Sequence, residues 1–105
     1  MFNKEVIKKV VYDTVPAELI EQVIVFGSRA RNEETSDSDT DICIIFKNDL
    51  PRENIKQYRI ALNKAFARDY KMPTDIIIKS KYTFNRYKDV ISGLEYNINK
   101  EGVVL

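Results

Sequence analysis

Asp39 and Asp41 stand two residues apart at the entrance to an apolar run, Ile42 to Phe46. If that run is a strand, its period of two puts both carboxylates on one face. Carboxylates held side by side at neutral pH repel each other, and the arrangement is stable only with a cation or a proton between them. Oxygen ligands select a hard metal, and Mg²⁺ is usually held by one or two carboxylates together with the phosphates of a substrate. Upstream, Val23, Ile24, Val25 and Phe26 form a short β-branched and aromatic run that stops at Gly27-Ser28, after which Arg29, Ala30 and Arg31 follow. A small-residue turn that leaves a strand and opens a short helix presents free backbone N–H groups, an anion site for which phosphate is the natural guest. A phosphate turn and a carboxylate pair are complementary halves of a metal-bridged phosphate site.

Plainer readings of the same residues carry different weight. A Gly-Ser pair by itself is an ordinary loop feature, and it gains meaning only from the strand-turn-helix context and the aspartates behind it. A calcium loop with Asp37, Asp39 and Asp41 at its first, third and fifth positions would need Gly at Ile42 and a bidentate Glu at Asn48, so that reading fails. Asp37 with Asp39 is a shifted alternative, but only in Asp39/Asp41 does the apolar strand follow the second acid directly, which leaves Asp37 as a solvated loop acid. Arg29 and Arg31 could simply pair with Glu33 and Glu34, and exposed pairs contribute little. Beside a triphosphate at least one of the two arginines would matter. Tyr58, Tyr70, Tyr82, Tyr87 and Tyr96 read as core and surface aromatics, with no base-stacking motif among them.

The glycine-serine turn, ten intervening residues and an Asp-x-Asp entering an apolar strand resemble the signature of the nucleotidyltransferase superfamily. The string GSRAR with SDSDTD behind it, in a chain near one hundred residues, is similar to the minimal nucleotidyltransferases, including the MntA-type antitoxins. Asn32 stands where that family usually has glycine, and Thr40 stands between the aspartates where an aliphatic residue is usual; both changes are physically mild. The resemblance implies an α/β fold, a small mixed sheet with helices packed on it, with the site at the ends of the first strands. It implies transfer of AMP from ATP to a hydroxyl acceptor with two Mg²⁺ ions, and a third catalytic carboxylate at Asp75. Asp39, Asp41 and Asp75 would then be catalytic and metal-binding, with Gly27, Ser28, Arg29 and Arg31 on the nucleotide's phosphates. The acceptor implied first is a tyrosine of a HEPN-type toxin, modified by AMPylation, with this chain as antitoxin. Two other acceptor readings stay open: a small molecule of the aminoglycoside kind, or no acceptor, the chain being an ATP-binding or partner-capping module.

The remaining sequence must position these groups. With 105 residues and 44% hydrophobic content, residues 1–105 are expected to form a single domain around one core. Lys and Arg total 17 against 16 acids, a net charge of +1 without charge blocks, so long-range attraction to nucleic acid is not indicated. The absence of histidine removes Ser-His and Cys-His catalysis and the commonest zinc ligand. Cys43 lies inside the second strand and reads as a small core residue. No signal-peptide core and no membrane-length apolar run is present, and a cytoplasmic location is expected.

Asn3 is placed to cap a first helix with Val6, Ile7, Val10 and Val11 as its apolar stripe, ending before Pro16. Asp49 and Pro51 announce a long crossover helix on which Ile55, Tyr58, Leu62, Ala65 and Phe66 recur at helical spacing. Met72-Pro73-Thr74 ends it. Asp75 then opens a third strand, Ile76 to Ile78, too apolar for an edge exposed on both faces. Two strand-helix steps would bring the strand ends to a shared rim, where Asp75 could join Asp39 and Asp41. Beyond Lys79 the expectation is a charged, Tyr-rich segment, a helix from Gly93 through Lys100, and a short apolar end.

Overall fold

The computed structural model describes residues 3–27, 39–70, 72–91 and 93–105. Helix α1 (Lys4–Thr14) begins where expected, because the Asn3 Oδ1 accepts hydrogen bonds from the backbone N–H groups of Glu5 and Val6 at 3.1 and 3.2 Å. That cap satisfies two of the donors a helix start leaves unpaired. Its inward stripe is Ile7, Val10 and Val11, all buried. After Pro16 a single 3-10 turn, Ala17–Leu19, leads into strand β1 (Ile20–Phe26).

Strand β2 (Thr40–Phe46) runs antiparallel to β1 in a register that sets Phe26 opposite Asp41 and Val25 opposite Ile42. The expectation of two successive strand-helix steps is therefore corrected: the first pair is antiparallel, and only the second connection is a crossover. An antiparallel return is what brings the end of β1, with Gly27, beside the start of β2 with Asp41. Helix α2 (Arg52–Asp69) then crosses over to β3 (Thr74–Ser80), which lies parallel to β2 with Asp41 beside Asp75 and Ile42 beside Ile76. The Tyr-rich segment contains a short helix α3 (Lys81–Tyr87), started by Ser80, whose Oγ accepts from the Thr83 N–H at 3.1 Å. Helix α4 (Leu94–Glu101) follows, and the apolar end is a two-residue strand β4 (Val103–Val104) that pairs antiparallel with β1.

The sheet order is β3-β2-β1-β4. Alternation along the strands divides the buried side chains between its two faces. On one face Val23, Val25, Ile42, Ile44, Phe46 and Ile76 meet Ile7, Val10 and Val11 of α1 and Leu62 and Phe66 of α2. On the other, Ile24, Cys43 and Ile45 meet Phe84 of α3 and Ile98 of α4. Fully burying an aliphatic or aromatic side chain is worth roughly 1.5–3 kcal/mol, so these two layers fix the strand register. Strand β3 is at the sheet edge, but neither of its faces is bare: Ile76 and Ile78 pack into the first layer and Ile77 into the second.

Candidate functional site

At one rim of the sheet the register lines up Phe26, Asp41 and Asp75 on three neighbouring strands. Asp41 and Asp75 are in-register partners on parallel strands, so their side chains leave the same face. It is the face whose next positions inward are Cys43 on β2 and Ile77 on β3, under α3 and α4. Asp41 is half-buried and Asp75 is exposed. Asp39 sits one residue ahead of β2 and is also exposed.

Gly27 follows the last residue of β1 with φ of +75°, a left-handed backbone that residues with a Cβ rarely adopt. A Cβ built there would fall on Oδ2 of Asp41 and lie 3.2 Å from its Cγ. Glycine is thus required twice, for the turn and for the space that the Asp41 carboxylate occupies. Ser28, Arg29 and Arg31, the other residues expected at the phosphate turn, lie outside the described residues, as do Asn32 and Asp37.

Among the described residues no three Asp, Glu, Cys or His side chains gather as a ready-made metal cage. The arrangement is a pair, Asp41 with Asp75, and an outlying Asp39. A pair of hard oxygen donors at the rim, one of them seated where a Cβ of residue 27 would otherwise be, fits Mg²⁺, an ion that completes its shell with water and substrate phosphate more often than with protein. The donor set does not suit zinc, which favours thiolate and imidazole.

Thr40, between the two acids, has its side chain on the opposite face of the sheet and is fully buried. Its Oγ1 lies 3.1 Å from the hydroxyl of Tyr70, the residue that ends α2. Its N–H donates to the Pro73 carbonyl at 2.9 Å. Sequence reasoning noted Thr40 as unusual and gave Tyr70 no part in the site. The signal that links them, a contact across thirty residues, appears only once α2 is folded back on the sheet.

A family model, the nucleotidyltransferase domain, matches residues 4–101. The chain belongs to the nucleotidyltransferase domain family. No curated protein matches the sequence. Several solved structures share the nucleotidyltransferase fold. A toxin–antitoxin with AMP-PNP superposes with a TM-score of 0.71 at 18% identity, over 98% of this chain and 72% of that one. A mutant of the toxin–antitoxin MntA-HpeT gives 0.68 at 20% identity, over 100% and 72%. A protein from Sulfolobus solfataricus described as a nucleotidyltransferase gives 0.58 at 24% identity, over 96% and 73%. At these identities the likeness is one of fold. Among the described residues of this nucleotidyltransferase, no helix is long and apolar enough to cross a membrane.

Proposed function

We propose that this nucleotidyltransferase moves AMP from ATP to a hydroxyl acceptor, and that the acceptor is a tyrosine of a HEPN-type toxin for which the chain serves as antitoxin. The observation that carries the reading is the alignment of Asp41 with Asp75 across parallel strands, with the Asp41 carboxylate seated against Gly27. The description of neighbouring folds as toxin–antitoxin structures, one of them with AMP-PNP, supports the choice of nucleotide and partner. So does a run of exposed apolar side chains, Tyr87, Val90, Ile91 and Leu94, between α3 and α4, of the kind that marks protein contacts.

In the reaction the acceptor oxygen attacks the α-phosphorus, the bond from that phosphorus to the β-bridging oxygen breaks, and pyrophosphate leaves with the electron pair while the hydroxyl proton passes to water. Asp39 and Asp41 would hold Mg²⁺ against the triphosphate, and Asp75 would help hold the ion that activates the acceptor hydroxyl. When bound, Mg²⁺ supplies charge neutralisation on the phosphates and lowers the pKa of the attacking hydroxyl. Gly27 and Ser28 would bind phosphate, and Arg29 and Arg31 would offset its charge. The chain contains no histidine, and its carboxylates position groups rather than form a covalent intermediate.

The test is incubation with ATP labelled at the α-phosphate, Mg²⁺ and the product of the neighbouring gene. Label on a tyrosine of that protein supports the reading. Label on a small molecule instead, or on nothing while ATP still binds, replaces it with the aminoglycoside-type transferase or the non-catalytic module.

A further inference from the structure

We infer that the buried contact between Thr40 and Tyr70 positions the metal-binding carboxylates, making Tyr70 a positioning residue for the site. The inference rests on the proposed role of Asp39 and Asp41. Thr40 is the residue between them, and among the described residues it is one of two buried polar side chains, with no exposed surface at all. A hydroxyl so placed must find a hydrogen-bond partner inside the protein. Its partner is the Tyr70 hydroxyl, 3.1 Å away.

Tyr70 is itself held on both sides. Its backbone N–H donates to the Phe66 carbonyl at 2.9 Å, and its ring meets Phe66 edge-on with centroids 5.9 Å apart. The Thr40 backbone is tied to β3 by its N–H to the Pro73 carbonyl and is in register with Thr74. The start of β2 is therefore fastened from opposite sides, by α2 through a side chain and by β3 through the main chain. Because side chains alternate along a strand, fixing Thr40 inward fixes its neighbours Asp39 and Asp41 towards the other face. Register pairing alone would align Asp41 with Asp75. The hydroxyl contact adds a restraint at the strand's first residue, where pairing ends and Asp39 would otherwise be free to fray.

The two hydroxyls are not equivalent. Tyr70 retains a little exposure, 8%, whereas Thr40 retains none. Removing the tyrosine hydroxyl strands the Thr40 hydroxyl in a fully buried position, a cost that displacement of the strand start would relieve; removing the threonine hydroxyl strands the less deeply buried of the two.

The experiment measures Mg²⁺-dependent ATP affinity by calorimetry, with thermal midpoints, for the wild type, Tyr70→Phe, Thr40→Val, the double variant, and Ile20→Val as a buried control at the opposite end of β1 from Gly27. Tyr70→Phe is expected to lower the thermal midpoint, because it strands a buried hydroxyl, and to weaken Mg²⁺-dependent ATP affinity by up to roughly tenfold, the part of that cost that binding must repay to restore the strand start. Thr40→Val should stay within about threefold. The double variant, with no stranded hydroxyl, should recover most of what Tyr70→Phe loses. Ile20→Val should lower the thermal midpoint without changing affinity. Asp41→Asn provides the reference for a damaged metal site. If Asp41→Asn abolishes Mg²⁺-dependent binding while Tyr70→Phe leaves it unchanged, or if the double variant shows no recovery, the positioning role is overturned. Wild-type ATP binding that is indifferent to Mg²⁺ overturns the carboxylate reading, and the inference with it.

Discussion

Gly27 is the residue whose replacement the geometry judges most severely. Alanine there meets a left-handed backbone, at about 1–2 kcal/mol, and its methyl would collide with the Asp41 carboxylate. Gly27→Ala is therefore expected to lower thermal stability modestly and Mg²⁺-dependent ATP affinity strongly; an ATP affinity equal to the wild type would mean that Asp41 is not a ligand of the bound nucleotide's metal. The acids themselves should separate binding from chemistry. Asp75 is on β3 while Asp39 and Asp41 belong to the β2 end, so the proposed roles differ by strand. Asp75→Asn should leave ATP binding near normal and reduce transfer on the order of a thousandfold, as befits an interaction made chiefly in the transition state. Asp39→Asn should damage both. Calorimetry beside the rate of label transfer checks the pair, and near-normal transfer in Asp75→Asn would return that residue to an ordinary strand-entry acid.

Helix α2 shows how an element turns sequence periodicity into position. Leu62, Ala65 and Phe66 are buried and Ile55 and Tyr58 pack beside them, the stripe that helical spacing predicts. Leu62→Ala should cost roughly 2–5 kcal/mol in urea denaturation, while Ile60→Ala, at a position 46% exposed on the same helix, should stay within about 0.5 kcal/mol. Equal losses would mean that the helix is rotated from this packing. Such stripes, like the Asn3 cap and the apolar runs of β2 and β3, were legible because each is set by residues close together in the chain. The direction of β1 against β2 was not, since Val23 to Phe26 reads alike in either orientation, and the pairing partner decides it. Strand β4 was hidden for the same reason: two valines become a strand only because β1 offers an unpaired edge. Helix α3 was obscured by its composition, KYTFNRY, in which a Ser80 cap and one buried side chain, Phe84, outweigh weak propensity. At the site, the Asp41–Asp75 register follows from the crossover, but the seating of the Asp41 carboxylate against Gly27 required the return of the chain.

Across the whole molecule, one sheet serves two apolar layers, and Cys43 sits at the heart of the second. It is fully buried against the side of the sheet covered by α3 and α4, the same face that carries Asp41 two residues earlier. Burial pushes its thiol up from the ordinary 9.0 to about 12, against the opposing pull of the nearby Lys79 ammonium, which is itself 3.5 Å from Glu95. The sign of the consequence follows from linkage. The folded state keeps the thiol protonated while the unfolded chain ionises it near 9, so the folded state is relatively favoured below that value and loses the advantage as pH rises from about 9 towards 12. Within that window each pH unit is worth at most about 1.4 kcal/mol. Other groups titrate there too, so the useful quantity is the difference between the wild type and Cys43→Ala. Alanine leaves a small cavity and should be less stable at about pH 8, but its stability should fall less steeply by about pH 10, narrowing the gap by on the order of 1 kcal/mol. Urea denaturation at the two pH values reads that narrowing, and a disulfide reagent added to the folded protein should react no faster than the second layer opens. A gap that stays constant with pH, together with prompt labelling of the thiol, would show that α3 and α4 do not seal this face of the sheet.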